Sequence, residues 1–327
     1  MTVQKVRIKN FTVFSDFAIE FCKGANLIIG ENGVGKTHLL KIIYDLIKSQ
    51  QRYLDSKTIR EQGKMMVSED MPVNSIASVF DVDQDYLNEN LKDAEALIQN
   101  NEEFASTYSQ VVFVPAKEML SHAKGLVSMK KKYGENMPFD ETLLDIIEKA
   151  QAWKLSQAPP LALNITPALE RIMNGVVDVR DDGSFWINKT DGTSIPFSME
   201  AEGYKHFGLL WQLIMNESIA PNCVVLWDEP ENSINPMNIP VLVESILEMQ
   251  RHGVQIIAAT HNYNFLRYFD ILRKNGDMIK HFCLYKGNNG FTCSTQSDSF
   301  KGLFPNSIDD AGERLFKDAI SKAAEDI

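Results

Sequence analysis

The chain has 327 residues, enough for one large domain or two lobes around a sizeable core. Its 44% hydrophobic and 24% charged content is ordinary for a soluble globular protein, and no apolar run reaches the ~18 residues of a membrane span. A net charge of −11 opposes a protein that grips nucleic acid mainly through phosphates, so direct nucleic-acid binding stays open but gains no support from charge.

The opening segment MTVQKVRIKNF lacks the apolar stretch of a secretory signal. Cys22, Cys223, Cys283 and Cys293 show no C-x-x-C pair and no metal-ligand spacing. Together these features predict a cytoplasmic protein with no membrane partner, whose cysteines act as small buried apolar groups. The basic cluster Lys130-Lys131-Lys132, with Lys124 nearby, reads as a solvated helix end or loop.

Val6 and Ile8 share one face of a first strand, and Phe17, Ile19 and Phe21 one face of a second. The next strand, residues 25–29, is continuously apolar apart from Asn26 and runs into a glycine-rich turn. From Lys36 the spacing of Leu39, Leu40, Ile43 and Leu46 is helical. Residues 50–110 are polar and uneven, and read as an irregular insertion with a helix near 86–100. Residues 111–114 form another buried strand, ended by Pro115. Helical spacing dominates from about 117 to 175, as in Leu143, Leu144, Ile146 and Ile147. Residues 176–198 alternate and carry Asp182-Gly183 and Asp191-Gly192, the turns of a meander. There follow a helix over 202–216, a strand over 223–227, a helix over 240–251 stopped by Gly253, and a strand over 254–259. The tail predicts two strands from about 277 and a helix over 309–324.

Gly30-Glu31-Asn32-Gly33-Val34-Gly35-Lys36-Thr37 fits G-x-x-x-x-G-K-[ST], with a buried strand before it and an amphipathic helix after it. Such glycines let backbone N–H groups and the helix start face phosphate oxygens. Lys36 is the candidate cation for the β- and γ-phosphates, Thr37 a candidate Mg²⁺ ligand, and His38 borders the cradle. Val224-Val225-Leu226-Trp227-Asp228-Glu229 puts two acids at the carboxyl end of a strand buried on both faces, where ligands of α/β sheets sit. Asp228 is the second candidate Mg²⁺ ligand, acting through water, and Glu229 the candidate group that orients or deprotonates the attacking water. Thr260-His261 ends the strand Val254–Ala259, which makes His261 a candidate γ-phosphate sensor. The cofactors implied are ATP and Mg²⁺.

This order of motifs (G-x-N-G-x-G-K-T, A-E-G-x-K over residues 201–205, W-D-E-P-E-N-x-x-N-P over 227–236, then A-T-H) resembles stand-alone ABC/SMC-like AAA-family ATPases. The likeness is to those related to OLD and RecF heads, many of them linked to phage defence. The resemblance implies an α/β ABC-type P-loop head with a mixed or parallel sheet core, antiparallel N-terminal strands and a helical lobe. Its core lobe would take residues 1–50, 111–116 and 220–327, its helical and signature lobe 117–219, and the insertion 51–110. It further implies a homodimer that sandwiches ATP, each site completed in trans by a signature loop, here Ala201, Glu202, Gly203 and Lys205. That loop departs from the transporter pattern, because Ala201-Glu202 stands where a serine precedes the glycine. A carboxylate there repels a γ-phosphate unless it points away or binds a cation, so slow hydrolysis is expected.

The function expected is an ATP-dependent switch that controls a protein effector, in defence or repair. A RecF-like ATPase that binds DNA directly is the alternative, and a transporter motor a third reading disfavoured by the altered signature. Two further motifs mislead. Asn188-Lys189-Thr190-Asp191 mimics the guanine signature of GTPases but precedes the Asp228 strand, at a polar turn. Asp81–Asp85 begins like a calcium loop, yet Tyr86 and Lys92 replace its glycine and glutamate.

Overall fold

The computed structural model describes residues 2–56, 76–80, 91, 93–100, 110–133, 139–155 and 157–325. At its centre is a six-stranded sheet that alternates its apolar residues between two layers. β3 (Ala25–Gly30), β5 (Val111–Val114), β9 (Val224–Asp228), β10 (Gln255–Ala259) and β11 (Ile279–Lys286) run parallel, and β12 (Thr292–Ser297) pairs antiparallel with β11. The order across the sheet is β12-β11-β3-β10-β9-β5. Leu27, Val225, Trp227, Ile256 and Ala258 pack into one layer, while Ile28, Val224, Leu226, Ile257 and Ala259 pack into the other. Burial on both faces is why these strands read as unbroken apolar runs.

The second layer is formed by α1 (Lys36–Ser56) and an antiparallel sheet, β2-β1-β4, of β1 (Val3–Phe11), β2 (Phe14–Glu20) and β4 (Glu95–Asn100). β4 corrects the expected helix over 86–100. Its register with β1 sets Ile98 against Val6 and Ala96 against Ile8, Ala94 and Ile98 are buried, and Glu95 pairs with Lys9 across the strands at 3.0 Å. The free edge of β1 imposes a period of two on a segment too polar to announce it. A short helix α2 (Ile76–Phe80) lies near α1, and the calcium-like segment 81–85 falls outside the described residues.

The first layer is helical. α3 (Leu126–Tyr133), α4 (Glu141–Ala150) and α5 (Pro160–Met173) divide residues 117–175, and Asp140 caps α4 by accepting from the Thr142 and Leu143 N–H groups. Lys130, Lys131 and Lys132 occupy the last turn of α3, the favourable end for cations, and Lys130 meets Glu148 at 3.0 Å. The meander is β6 (Gly175–Val179), β7 (Phe185–Lys189) and β8 (Ser194–Pro196), antiparallel throughout. α6 (Glu202–Met215), α7 (Ile239–Arg251), α8 (Tyr263–Leu272) and α9 (Ser307–Glu325) follow. The sequence reading omitted α8, whose signal is Asn262: its side chain accepts from the Phe265 N–H ahead of buried Phe265, Leu266 and Phe269. The fold class is the expected one: an α/β head with a mixed sheet, antiparallel N-terminal strands and a helical layer. No helix among the described residues is long and apolar enough to cross a membrane.

Candidate functional site

Three adjacent strands end side by side, and the candidate residues sit on those ends. β3 delivers Gly30, β10 delivers Thr260 and His261, and β9 delivers Asp228 and Glu229. The ladder fixes the alignment: Ala259 pairs with Ile28 on one side and with Asp228 on the other. Beyond the last rung, Thr260 N–H donates to Ile28 O at 3.0 Å and Glu229 N–H to Ala259 O at 2.8 Å.

The loop between β3 and α1 needs its glycines. Gly30 has φ 148°, and a Cβ there would lie 2.3 Å from Leu284 O. Gly35 has φ 94°, and its Cβ would strike Val13 at 2.5 Å. Glu31, Asn32 and Gly33 are exposed on the rim, whereas Val34 is buried and its carbonyl accepts from Thr292 Oγ1 at 2.9 Å. Lys36 opens α1 with its ammonium turned back over the loop, donating to Gly30 O at 2.8 Å and Glu31 O at 3.0 Å. Burial pushes its pKa down, opposed by the charges of Asp228 and Glu229. Thr37 Oγ1 donates to Asp228 Oδ2 at 2.8 Å, joining the start of α1 to the end of β9 across the sheet. Burial raises the Asp228 pKa, and the Thr37 hydroxyl counteracts it.

Glu229 takes a left-handed φ of 49°, a conformation that costs a non-glycine residue energy and turns the chain sharply after β9. Its Oε1 lies 3.1 Å from His261 Nδ1, so the two candidate catalytic groups of neighbouring strands face each other. His38 points elsewhere: its Nδ1 meets Thr12 Oγ1 at 3.0 Å, its ring stands edge-on to Phe80, and burial lowers its pKa.

Sequence reasoning gave no role to Glu231. It is buried, and Thr260 Oγ1 donates to its Oε1 at 2.7 Å while also accepting from the Asn262 N–H at 3.0 Å. Burial raises the Glu231 pKa, offset in part by the Thr260 hydroxyl. The third acid of the W-D-E-P-E run thereby braces the turn that presents His261. Only the adjacency of β9 and β10 reveals it.

The signature set sits at the start of α6. Ala201 is the N-cap, without a side-chain cap bond, and Glu202 opens the first turn. Lys205 is buried and donates to Glu202 Oε1 at 2.7 Å, with Glu118 Oε2 at 3.8 Å. Gly203 seats this helix against the turn after β9, since a Cβ would lie 3.0 Å from Ser233 O. Asn232 Nδ2 donates to Ala116 O at 3.0 Å, tying the same turn to the segment after β5. The guanine-like motif is spent on the meander: Asp191 Oδ1 accepts from the Thr193 N–H at 2.9 Å and from Thr193 Oγ1 at 2.7 Å, while Lys189 turns inward.

A family model described as an AAA ATPase domain matches residues 1–150. An "ATP/GTP phosphatase" of Helicobacter pylori is 23% identical over 86% of this chain and 92% of that protein. The "DNA replication and repair protein RecF" of Phocaeicola vulgatus is 36% identical over 69 residues, 20% of this chain and 19% of that protein. Among solved structures, the SMC head domain from Thermotoga maritima aligns at TM-score 0.44 and 15% identity, over 91% of this chain and 99% of that one. Over residues 1–150 the chain thus resembles an AAA ATPase domain, the likeness expected from the order of its motifs.

Proposed function

We propose that this chain binds ATP with Mg²⁺ at the Gly30–Thr37 loop, closes around it as a homodimer, hydrolyses it, and thereby gates a partner protein. The carrying observation is the convergence of Lys36, Thr37, Asp228, Glu229 and His261 on three adjacent strand ends, locked by the 2.8 Å Thr37–Asp228 bond and the 3.1 Å Glu229–His261 contact. Lys36 sits where its charge meets the terminal phosphates, and the N–H groups of the loop and the first turn of α1 attract the rest. The Thr37 hydroxyl and the Asp228 carboxylate, 2.8 Å apart, are hard oxygens of the kind that would hold Mg²⁺, Asp228 through water. Bound there, the ion would neutralise phosphate charge. Glu229 accepts a proton from the attacking water, and His261 holds that carboxylate in place. Ala201, Glu202, Gly203 and Lys205 complete the partner's site in trans.

Glu229→Gln tests this reading. Gln keeps the shape and loses the base, so the variant should bind ATP, hydrolyse it at least about 100-fold more slowly, and double in mass by light scattering when ATP and Mg²⁺ are added. Unchanged mass at saturating ATP would reject closure around nucleotide. The RecF match over 69 residues favours a second reading, direct DNA binding. Tight, salt-sensitive DNA binding by the purified chain, with no protein recovered from its source cells in any nucleotide state, would favour it over a protein gate.

A further inference from the structure

Lys189 belongs to no part of the nucleotide site, yet it is among the more deeply committed charges in the chain. It ends β7, and its ammonium is buried in an ion pair with Glu200, both side chains only 9% exposed. The same ammonium donates to Met173 O at 3.0 Å, the last residue of α5, and lies 5.1 Å from the centre of the Tyr204 ring. Glu200 directly precedes the signature set, and its Oε1 accepts from the Ala201 N–H at 3.0 Å. One cation therefore connects the end of α5, the meander, the residue before the signature and an aromatic ring in the first turn of α6. A buried pair of this kind favours one arrangement over others, because moving either partner strands a charge.

Resting on the function proposed above, we infer that Lys189 is a positioning residue. Through Glu200 it fixes the turn that presents Ala201, Glu202 and Gly203 to the ATP held by the other protomer. The surface it shapes faces outward: Met199 is 80% exposed, and Glu202 is 52% exposed even while paired with Lys205. The effect of Lys189 reaches the partner's site and not its own, because its bonds run to the signature side of the chain and none joins it to Gly30–Thr37, Asp228 or Glu229.

The test exploits this asymmetry. Lys189→Met should keep nucleotide affinity under conditions where the protein is monomeric, and lose about 10- to 100-fold in ATP turnover, the scale of a misplaced reacting geometry. Mixed in equal amounts with Glu229→Gln, which supplies an intact signature but no base, it should regain about one quarter of the wild-type rate. Half the dimers are then mixed, and one of the two sites in each is complete. A role within its own subunit predicts no regain, because every site would carry one defect or the other, and that result overturns the inference. So does unchanged turnover in Lys189→Met. Glu200→Gln serves if Lys189→Met fails to fold: Gln still accepts from the Ala201 N–H, and the same regain is expected. Lys189→Arg should retain most of the activity. Glu229→Gln alone separates the two levels. If it stays monomeric with ATP the underlying reading fails; if it dimerises while mixing restores nothing, only the role of Lys189 does.

Discussion

His281 offers a stability measurement with its magnitude fixed by burial. Its ring is fully buried in β11, 6.3 Å from the Phe300 ring. Burial lowers its pKa to about 4, with Asp270 and Asp298 pulling up and Arg273 pushing down. The unfolded value is 6.5, so below that pH the unfolded chain binds a proton that the folded chain refuses. Stability from this residue is complete above pH 6.5 and is lost as pH falls towards 4. The whole effect is about 3 kcal/mol, of which about 2 kcal/mol is lost between pH 7.5 and pH 5. His281→Leu removes the titration while staying apolar. Urea unfolding at the two pH values should show the wild type losing about 2 kcal/mol more than the variant over this interval. Parallel losses in the two proteins would refute the reasoning and place a compensating group beside the ring.

Lys36→Ala removes the cation that bridges Gly30 O and Glu31 O, and affinity for a non-hydrolysable ATP analogue should fall at least about 30-fold by calorimetry. Near wild-type affinity would reject this loop as the phosphate site. Gly203→Val forces a branched side chain towards Ser233 O, which a bare Cβ would already approach to 3.0 Å, and should lower ATP turnover about tenfold or more. Its affinity for nucleotide in the monomer should be unchanged, because the contact it disturbs joins the start of α6 to Ser233 and includes no residue of the Gly30–Thr37 loop.

The parts legible in the sequence were those whose geometry permits few residue types. β3, the glycine loop and α1 could be read together because Gly30 and Gly35 occupy conformations and close approaches that other residues resist. β9 and β10 were legible because burial on both faces demands continuous apolar residues. β4 was not, since its only pattern is the alternation of Ala94, Ala96 and Ile98 inside polar sequence, and its partner β1 lies some 90 residues away. Glu231 was hidden for a related reason: its worth depends on Thr260, which the β9–β10 register brings beside it. Lys189 was visible but misleading. As a letter it belonged to a guanine motif; in the fold its charge is taken up by Glu200.

The acid in the signature raised the expectation of slow hydrolysis, on the ground that a carboxylate repels a γ-phosphate. The structure supplies the exempting condition, a cation: Lys205 donates to Glu202 Oε1 at 2.7 Å from a buried position. With that charge balanced, the positive end of the α6 dipole governs the face. Glu202→Gln therefore separates two accounts. If the carboxylate is neutralised, removing it uncovers Lys205 and tightens ATP-driven association modestly. The Glu202 side chain is 52% exposed, so its pair contributes at most about 1 kcal/mol, a factor of about five in affinity. The maximal turnover rate should then change by no more than the same factor. If the carboxylate acts as a brake, turnover should climb tenfold or more at saturating protein and ATP. Steady-state ATPase rates measured across protein concentration distinguish a shift in the association midpoint from a rise in the plateau, and a large rise in the plateau would refute the neutralised pair.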